Sequence, residues 1–235
     1  MPLRKVRDIE YQLLPGTERQ TTDIVIERNG IITVRPPLRL TPEQVDETVL
    51  GKRLWIYRNL AEWRDLNAAR VTREWVSGES FPYLGSSYRL QLVQEQDEPL
   101  KLKDGRFRLL RSVVETGGGD TAHRIFEAFY KEKGLPRIKR RVAYLAVKVG
   151  VSAGEVQIRD LGYRWASCLK NGDLHFHWKC LMAPLTIIDY IVVHELCHLH
   201  HRDHSDAFWN EVDKVLLDYR DRKEWLKVRG VELDL

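Results

Sequence analysis

The chain has 235 residues, 43% of them hydrophobic and 31% charged, and carries a formal net charge of +4. That length and apolar share can bury one sizeable core, or a catalytic core with a smaller lobe, so a soluble globular protein is expected. No run of about 18 apolar residues is present to span a bilayer, and residues 1–10 lack the apolar segment of a signal peptide, so a cytoplasmic location without membrane contact is expected.

Residues 22–36 alternate about Asn29-Gly30, the dipeptide that suits a two-residue β-hairpin turn because both positions favour positive φ. Thr41, Pro42 and Gln44 then read as a capping box with proline in the first turn, opening a helix to about Leu66 whose Trp55, Leu60 and Trp63 are expected in the core. Residues 71–111 read as several short strands, one of them at 88–93, which makes this half mainly β with one long helix. Gly117, Gly118 and Gly119 lack the lysine of a phosphate loop and read as a flexible linker, dividing an N-terminal lobe (1–116) from a C-terminal domain (117–235).

Beyond the glycines, one helix is expected from Asp120 or Thr121 to about Lys133 and a second from Pro136 to Val149. The second carries the densest basic cluster, Arg137, Lys139, Arg140 and Arg141, which is a solvated face or a surface for a phosphate-rich partner. Strands are expected at 155–159 and 173–178. Between them Arg164, flanked by Tyr163 and Trp165, is either a buried anchor or a clamp on an oxyanion or phosphate. The three cysteines, Cys168, Cys180 and Cys197, are odd in number and unpaired in spacing, which argues against a disulfide framework. A second zinc shared by Cys168 and Cys180 with His175 or His177 would lack any CxxC element.

The most informative stretch is His194-Glu195-Leu196-Cys197-His198. Positions four apart share one face of a helix, so two imidazoles can hold one cation with Glu195 beside it. Ile187, Ile188, Ile191, Val192 and Leu196 recur at helical spacing after Pro184, so this helix is expected in the core, where unsatisfied ring nitrogens would cost about 1–3 kcal/mol each. Three protein ligands would leave zinc an open position for water, whose proton Glu195 could take. His200, His201 and His204 are candidates for the third ligand. His204 is favoured because it stands at a turn before Ser205, the expected cap of a helix through Phe208, Trp209 and Val212; Glu211 in that helix competes.

These residues, with the runs at 164–168, 172–179, 183–184 and 204–209, resemble the YgjP-like family of metal-dependent hydrolases, a metallopeptidase-like family similar to the SprT and WLM zinc domains. The segments near Trp55-Ile56 and at 77–85 extend the resemblance over nearly the whole chain. It implies an α+β fold whose C-terminal domain is zincin-like, with His194, His198 and His204 as Zn2+ ligands and Glu195 as general base. The chain departs from the family at Ala166, where glycine is usual, and at His177, where asparagine is usual.

Hydrolysis of a peptide or protein is the first functional expectation. A nucleoside triphosphate pyrophosphatase fits the same metal chemistry but needs clustered Arg and Lys for phosphates, whereas a peptidase needs an edge strand or groove. A non-catalytic zinc-stabilised module associated with nucleic acid is the third expectation; it would call for a closed four-ligand site and no Glu195.

Overall fold

The computed structural model describes residues 3–18, 20–27, 29–67, 72–162 and 164–235, which form two compact units, 1–70 and 71–235. The first unit contains strands β1 (Leu3–Val6), β2 (Ile9–Leu13), β3 (Asp23–Ile26) and β4 (Ile32–Arg35), then helices α1 (Pro42–Gly51) and α2 (Arg53–Asn67). The strands form one sheet in the order β1-β2-β4-β3. Gly30 takes a φ of +85° in the β3–β4 hairpin, the left-handed conformation its sequence position requires. At the start of α1 the Gln44 N–H donates to Thr41 Oγ1 and the Thr41 N–H donates to Gln44 Oε1, closing the expected capping box. The expected single helix is interrupted at Lys52, and Trp55 is exposed rather than in the core. Ile9, Tyr11, Ile32, Val34, Val45, Val49 and Ile56 form that core instead.

The second unit opens with β5 (Ser80–Tyr83), β6 (Ser86–Val93), β7 (Leu100–Lys103) and β8 (Arg106–Leu110), a sheet in the order β5-β6-β8-β7. It continues as α3 (Arg111–Val149), strands β9 (Val156–Arg159), β10 (Ala166–Cys168) and β11 (Leu174–His177), a 3₁₀ turn at Trp178–Met182, and helices α4 (Leu185–Cys197), α5 (Asp206–Val215) and α6 (Tyr219–Arg229). The architecture is therefore α+β. The glycine run falls inside this unit, and at Gly118, with φ 65° and ψ −172°, α3 is kinked into two helical segments, the break the glycines suggested. The two helices expected after it are one, because Pro136 is accommodated within α3. Gly134 explains part of that continuity: a Cβ there would lie 2.6 Å from Leu181 Cγ and 3.0 Å from Ile158 Cδ1, so the helix lies very close to β9 and the 3₁₀ turn.

One apolar cluster binds sheet, helices and turn together, with Phe81, Phe107, Phe126, Tyr130, Phe176, Trp178 and Phe208 almost fully buried. The second sheet, ordered β10-β11-β9, positions the site. β11 runs parallel to β9 and antiparallel to β10, so β10 is an edge strand. Sequence reading missed β10, whose three residues are too short to show a period.

Candidate metal centre

Helix α4 is apolar nearly all round, as a buried core helix must be: Ile187, Ile188, Ile191, Val192, Val193, Leu196 and Cys197 are buried. Pro184 sits at the N-cap, one position ahead of expectation, and its carbonyl accepts the N–H groups of Ile187 and Ile188. His194 lies in the last turn of the helix and His198 at its C-cap, so both rings emerge where the helix ends.

There the chain turns, and His204 comes back over the pair. Nitrogens of His194, His198 and His204 all lie within 4.8 Å of one another, and the Nε2 atoms of His194 and His204 are 3.1 Å apart. Two nitrogens at about 2.0–2.1 Å from a tetrahedral zinc would stand roughly 3.3 Å apart, so the donor set fits such an ion. Phe208 from α5 packs among all three rings, with centroids 5.0, 4.6 and 4.9 Å from His194, His198 and His204. Trp209 stacks on His204 at 5.7 Å.

Burial also sets the protonation the ligands need. Desolvation, then the neighbouring His198 and His204, pushes the His194 pKa down to about 3, and desolvation lowers that of His198. Neutral imidazole is the metal-binding form. The His198 Nδ1 lies 3.0 Å from the His201 carbonyl oxygen, which makes it the protonated nitrogen and leaves Nε2 for a metal. His200 is turned elsewhere, its Nε2 3.0 Å from the Val149 carbonyl oxygen. Glu211 pairs with Lys214 at 2.6 Å. Among the described residues the three histidines are the one group gathered for a metal, so Cys168, Cys180, His175 and His177 are not brought together as a second site. The Cys180 sulfur is buried 3.1 Å from the Trp165 carbonyl oxygen, and His177 caps the 3₁₀ turn by accepting the Lys179 N–H at Nδ1.

Glu195 is 6% exposed. Its burial pushes the carboxyl pKa up to about 8, against the pull of a hydrogen bond from the Cys168 N–H and the charge of Arg164. Both counterweights come from β10 and the residues leading into it. Arg164 itself is exposed, so the buried-anchor reading fails, while its charge reaches Glu195. Tyr163 lies outside the described residues. The ladder explains why Cys168 faces the carboxylate: His177 donates to the Trp165 carbonyl and Leu169 to the Asp173 carbonyl. Ala166 and Cys168 therefore turn their backbone N–H and C=O groups to the open edge of β10.

Sequence reading identified the three histidines and Glu195 but missed the parts that hold them. Phe208 and Cys168 belong to the runs at 204–209 and 164–168 that the sequence singles out, but no spacing rule ties Cys168 to α4, and only the packing of β10 against that helix brings it to the site.

An α+β unit with three imidazoles gathered beside a buried carboxylate at one helix end belongs to the class of proteins that could hold a catalytic metal. The chain belongs to the YgjP-like family, whose metallopeptidase domain profile matches residues 20–229. It is thus a metal-dependent hydrolase of metallopeptidase type. No curated protein sequence matches the chain. Among solved structures it is similar to the metallopeptidase zymogen of Pyrococcus abyssi abylysin, at 23% identity over 42% of this chain and 99% of that one, with a TM-score of 0.38.

Proposed function

We propose that the protein is a zinc-dependent peptidase that cleaves an extended peptide or protein segment, with His194, His198 and His204 as metal ligands and Glu195 as general base. The observation that carries this reading is the buried Glu195 carboxylate, next in sequence to His194 in a triad of imidazoles that lie within 4.8 Å of one another. A zinc ion held by these three imidazoles would supply Lewis acidity and make a water more acidic, lowering its pKa from about 15.7 toward 7.

The chain's own residues do the rest. Glu195 accepts a proton from the attacking water and returns it to the leaving amine, in a site from which bulk solvent is largely excluded. The open edge of β10, where Ala166 presents its N–H and C=O, suits an extended backbone added as a further strand. Arg164, exposed and electrostatically coupled to Glu195, is suited to the substrate carbonyl oxygen.

The phosphohydrolase reading draws less support. Arg141 in the basic cluster is bound to both oxygens of Asp189 at 2.6 and 2.7 Å, and Arg137 donates to the Tyr83 hydroxyl. A closed structural zinc site would call for a fourth ligand, and the described residues gather three. The deciding experiment incubates zinc-loaded protein with an unstructured protein and with a panel of nucleoside triphosphates, each with and without chelator. Chelator-sensitive proteolysis is expected; chelator-sensitive pyrophosphate release without proteolysis would overturn the reading.

A further inference from the structure

The second half of α3 has two unlike sides. Ile138, Val142, Leu145 and Val149 are buried in the core. On the opposite side Arg137, Arg140, Arg141, Tyr144 and Lys148 fall within about 100° of one another, because each residue advances by about 100° around the helix axis. From Arg137 to Lys148 this row runs about 16 Å along the axis. Arg137, Arg140 and Lys148 are exposed, as is Tyr144 at 52%. The Arg141 guanidinium donates to both oxygens of Asp189 and lies 4.9 Å from the centre of the Tyr144 ring, and the Lys148 ammonium lies 4.6 Å from the same ring. Arg137 donates through Nε to the Tyr83 hydroxyl at 3.2 Å, which orients the guanidinium and leaves Nη1 and Nη2 available. Asp189 neutralises Arg141, whereas Arg137, Arg140 and Lys148 have no carboxylate partner among the described residues.

We propose that this face of α3 binds nucleic acid through its phosphodiester backbone, without reading sequence. A straight row of cations suits a polymer that repeats its charge: duplex DNA carries one negative charge per about 1.7 Å of axis, so phosphates stand opposite the row in any register. The guanidinium fork of Arg137 and Arg140 matches two oxygens of a phosphate, and Lys148 adds a point charge. An anionic membrane fits less well. A helix that lies on a bilayer turns a broad apolar side to the lipid, and here that side is packed into the core, with Tyr144 and Val147 the large hydrophobic residues left exposed on this part of α3. The inference is independent of the metal centre, since neither Glu195 nor the three histidines takes part in it.

Fluorescence anisotropy of the full chain with a labelled DNA duplex and with its separated single strand, from about 50 to 200 mM salt, tests the proposal. Three neutralised phosphates predict a slope of log K against log salt of about −2.7 on the duplex, a loss of about 40-fold in affinity over that range. Arg137→Gln, Arg140→Gln and Lys148→Gln combined should weaken binding at least about tenfold at the lowest salt and flatten the slope toward zero, with an unchanged melting temperature. Each exchange alone should reduce the slope by about 0.9, a readout that survives if the combined variant folds poorly. Lys52→Gln, Arg53→Gln and Arg58→Gln combined remove three exposed cations of the first unit and should leave binding as in the wild type. Absence of binding by the wild type at the lowest salt, or equal losses from the two combined variants, overturns the proposal. Tighter binding to polyglutamate or to phosphatidylserine vesicles than to either DNA overturns it as well, and assigns the face to an acidic protein or a membrane.

Discussion

The Nε2 atoms of His194 and His204 face each other at 3.1 Å, although ten residues and a turn separate them in sequence. A cation held between the two nitrogens would take up their lone pairs and offset the cost of burying the His194 ring. Zinc should therefore bind the native chain far better than the unfolded one. At a thousandfold excess over Kd, binding adds about 4 kcal/mol of stability, or roughly 10 °C in the melting temperature. His204→Ala should lower zinc affinity by at least about 100-fold, more than the loss of an outer-shell partner does, whereas Glu211→Ala should leave it unchanged. A Glu211 variant that releases zinc while His204→Ala retains it would reverse the assignment.

His177 gives the fold a dependence on acidity. Burial, with Lys179 close by, depresses its pKa to about 4, against the opposing charges of Asp160 and Asp234. Its Nδ1 accepts the Lys179 N–H, so the proton sits on Nε2, 3.3 Å from an Asp160 oxygen. The unfolded chain takes up this proton near pH 6.5 and the folded chain only near 4. Stability from a neutral His177 is complete above about pH 6.5, falls as pH drops through that window, and amounts to about 3 kcal/mol. Asparagine, a good N-cap residue, can accept the same N–H without titrating. Urea unfolding of wild type and His177→Asn at pH 7 and pH 4.5 should show a smaller loss on acidification in the variant; equal losses would show that the dependence lies elsewhere.

At Gly134, two effects oppose each other. Alanine favours a helix by about 1 kcal/mol over glycine, but the added Cβ would meet the buried Leu181 side chain at 2.6 Å and Ile158 at 3.0 Å. Overpacking of about 1–3 kcal/mol should win because Leu181 is fully buried in the core. Gly134→Ala should lower the melting temperature by several degrees; a rise would mean that α3 shifts more easily than its packing suggests.

Much of the site was legible in the sequence because helical geometry alone decides it. Residues four apart share a face, so His194, Glu195 and His198 could be grouped without knowing any other element. His204 was accessible through the turn and cap signals ahead of α5. What stayed hidden depends on contacts between elements remote in sequence: Cys168 against Glu195, His200 against Val149, Arg202 against Leu169. The glycine run does break the helical path, at Gly118 with φ 65° and ψ −172°, and Gly119 packs where an added Cβ would lie 3.0 Å from the Trp75 indole nitrogen, a close approach that composition does not reveal. The two compact units meet after residue 70.

The central claim is that a buried carboxylate one residue from the first ligand moves the proton in hydrolysis. Glu195→Gln keeps the side chain's size and polarity, but it cannot take a proton from water. The direct measurement is kcat/KM on an unstructured protein for wild type and Glu195→Gln, both loaded to the same zinc content and both melting normally. A fall of about 10²- to 10⁴-fold is expected for loss of a general base. Turnover in the variant equal to that of the wild type would contradict the account.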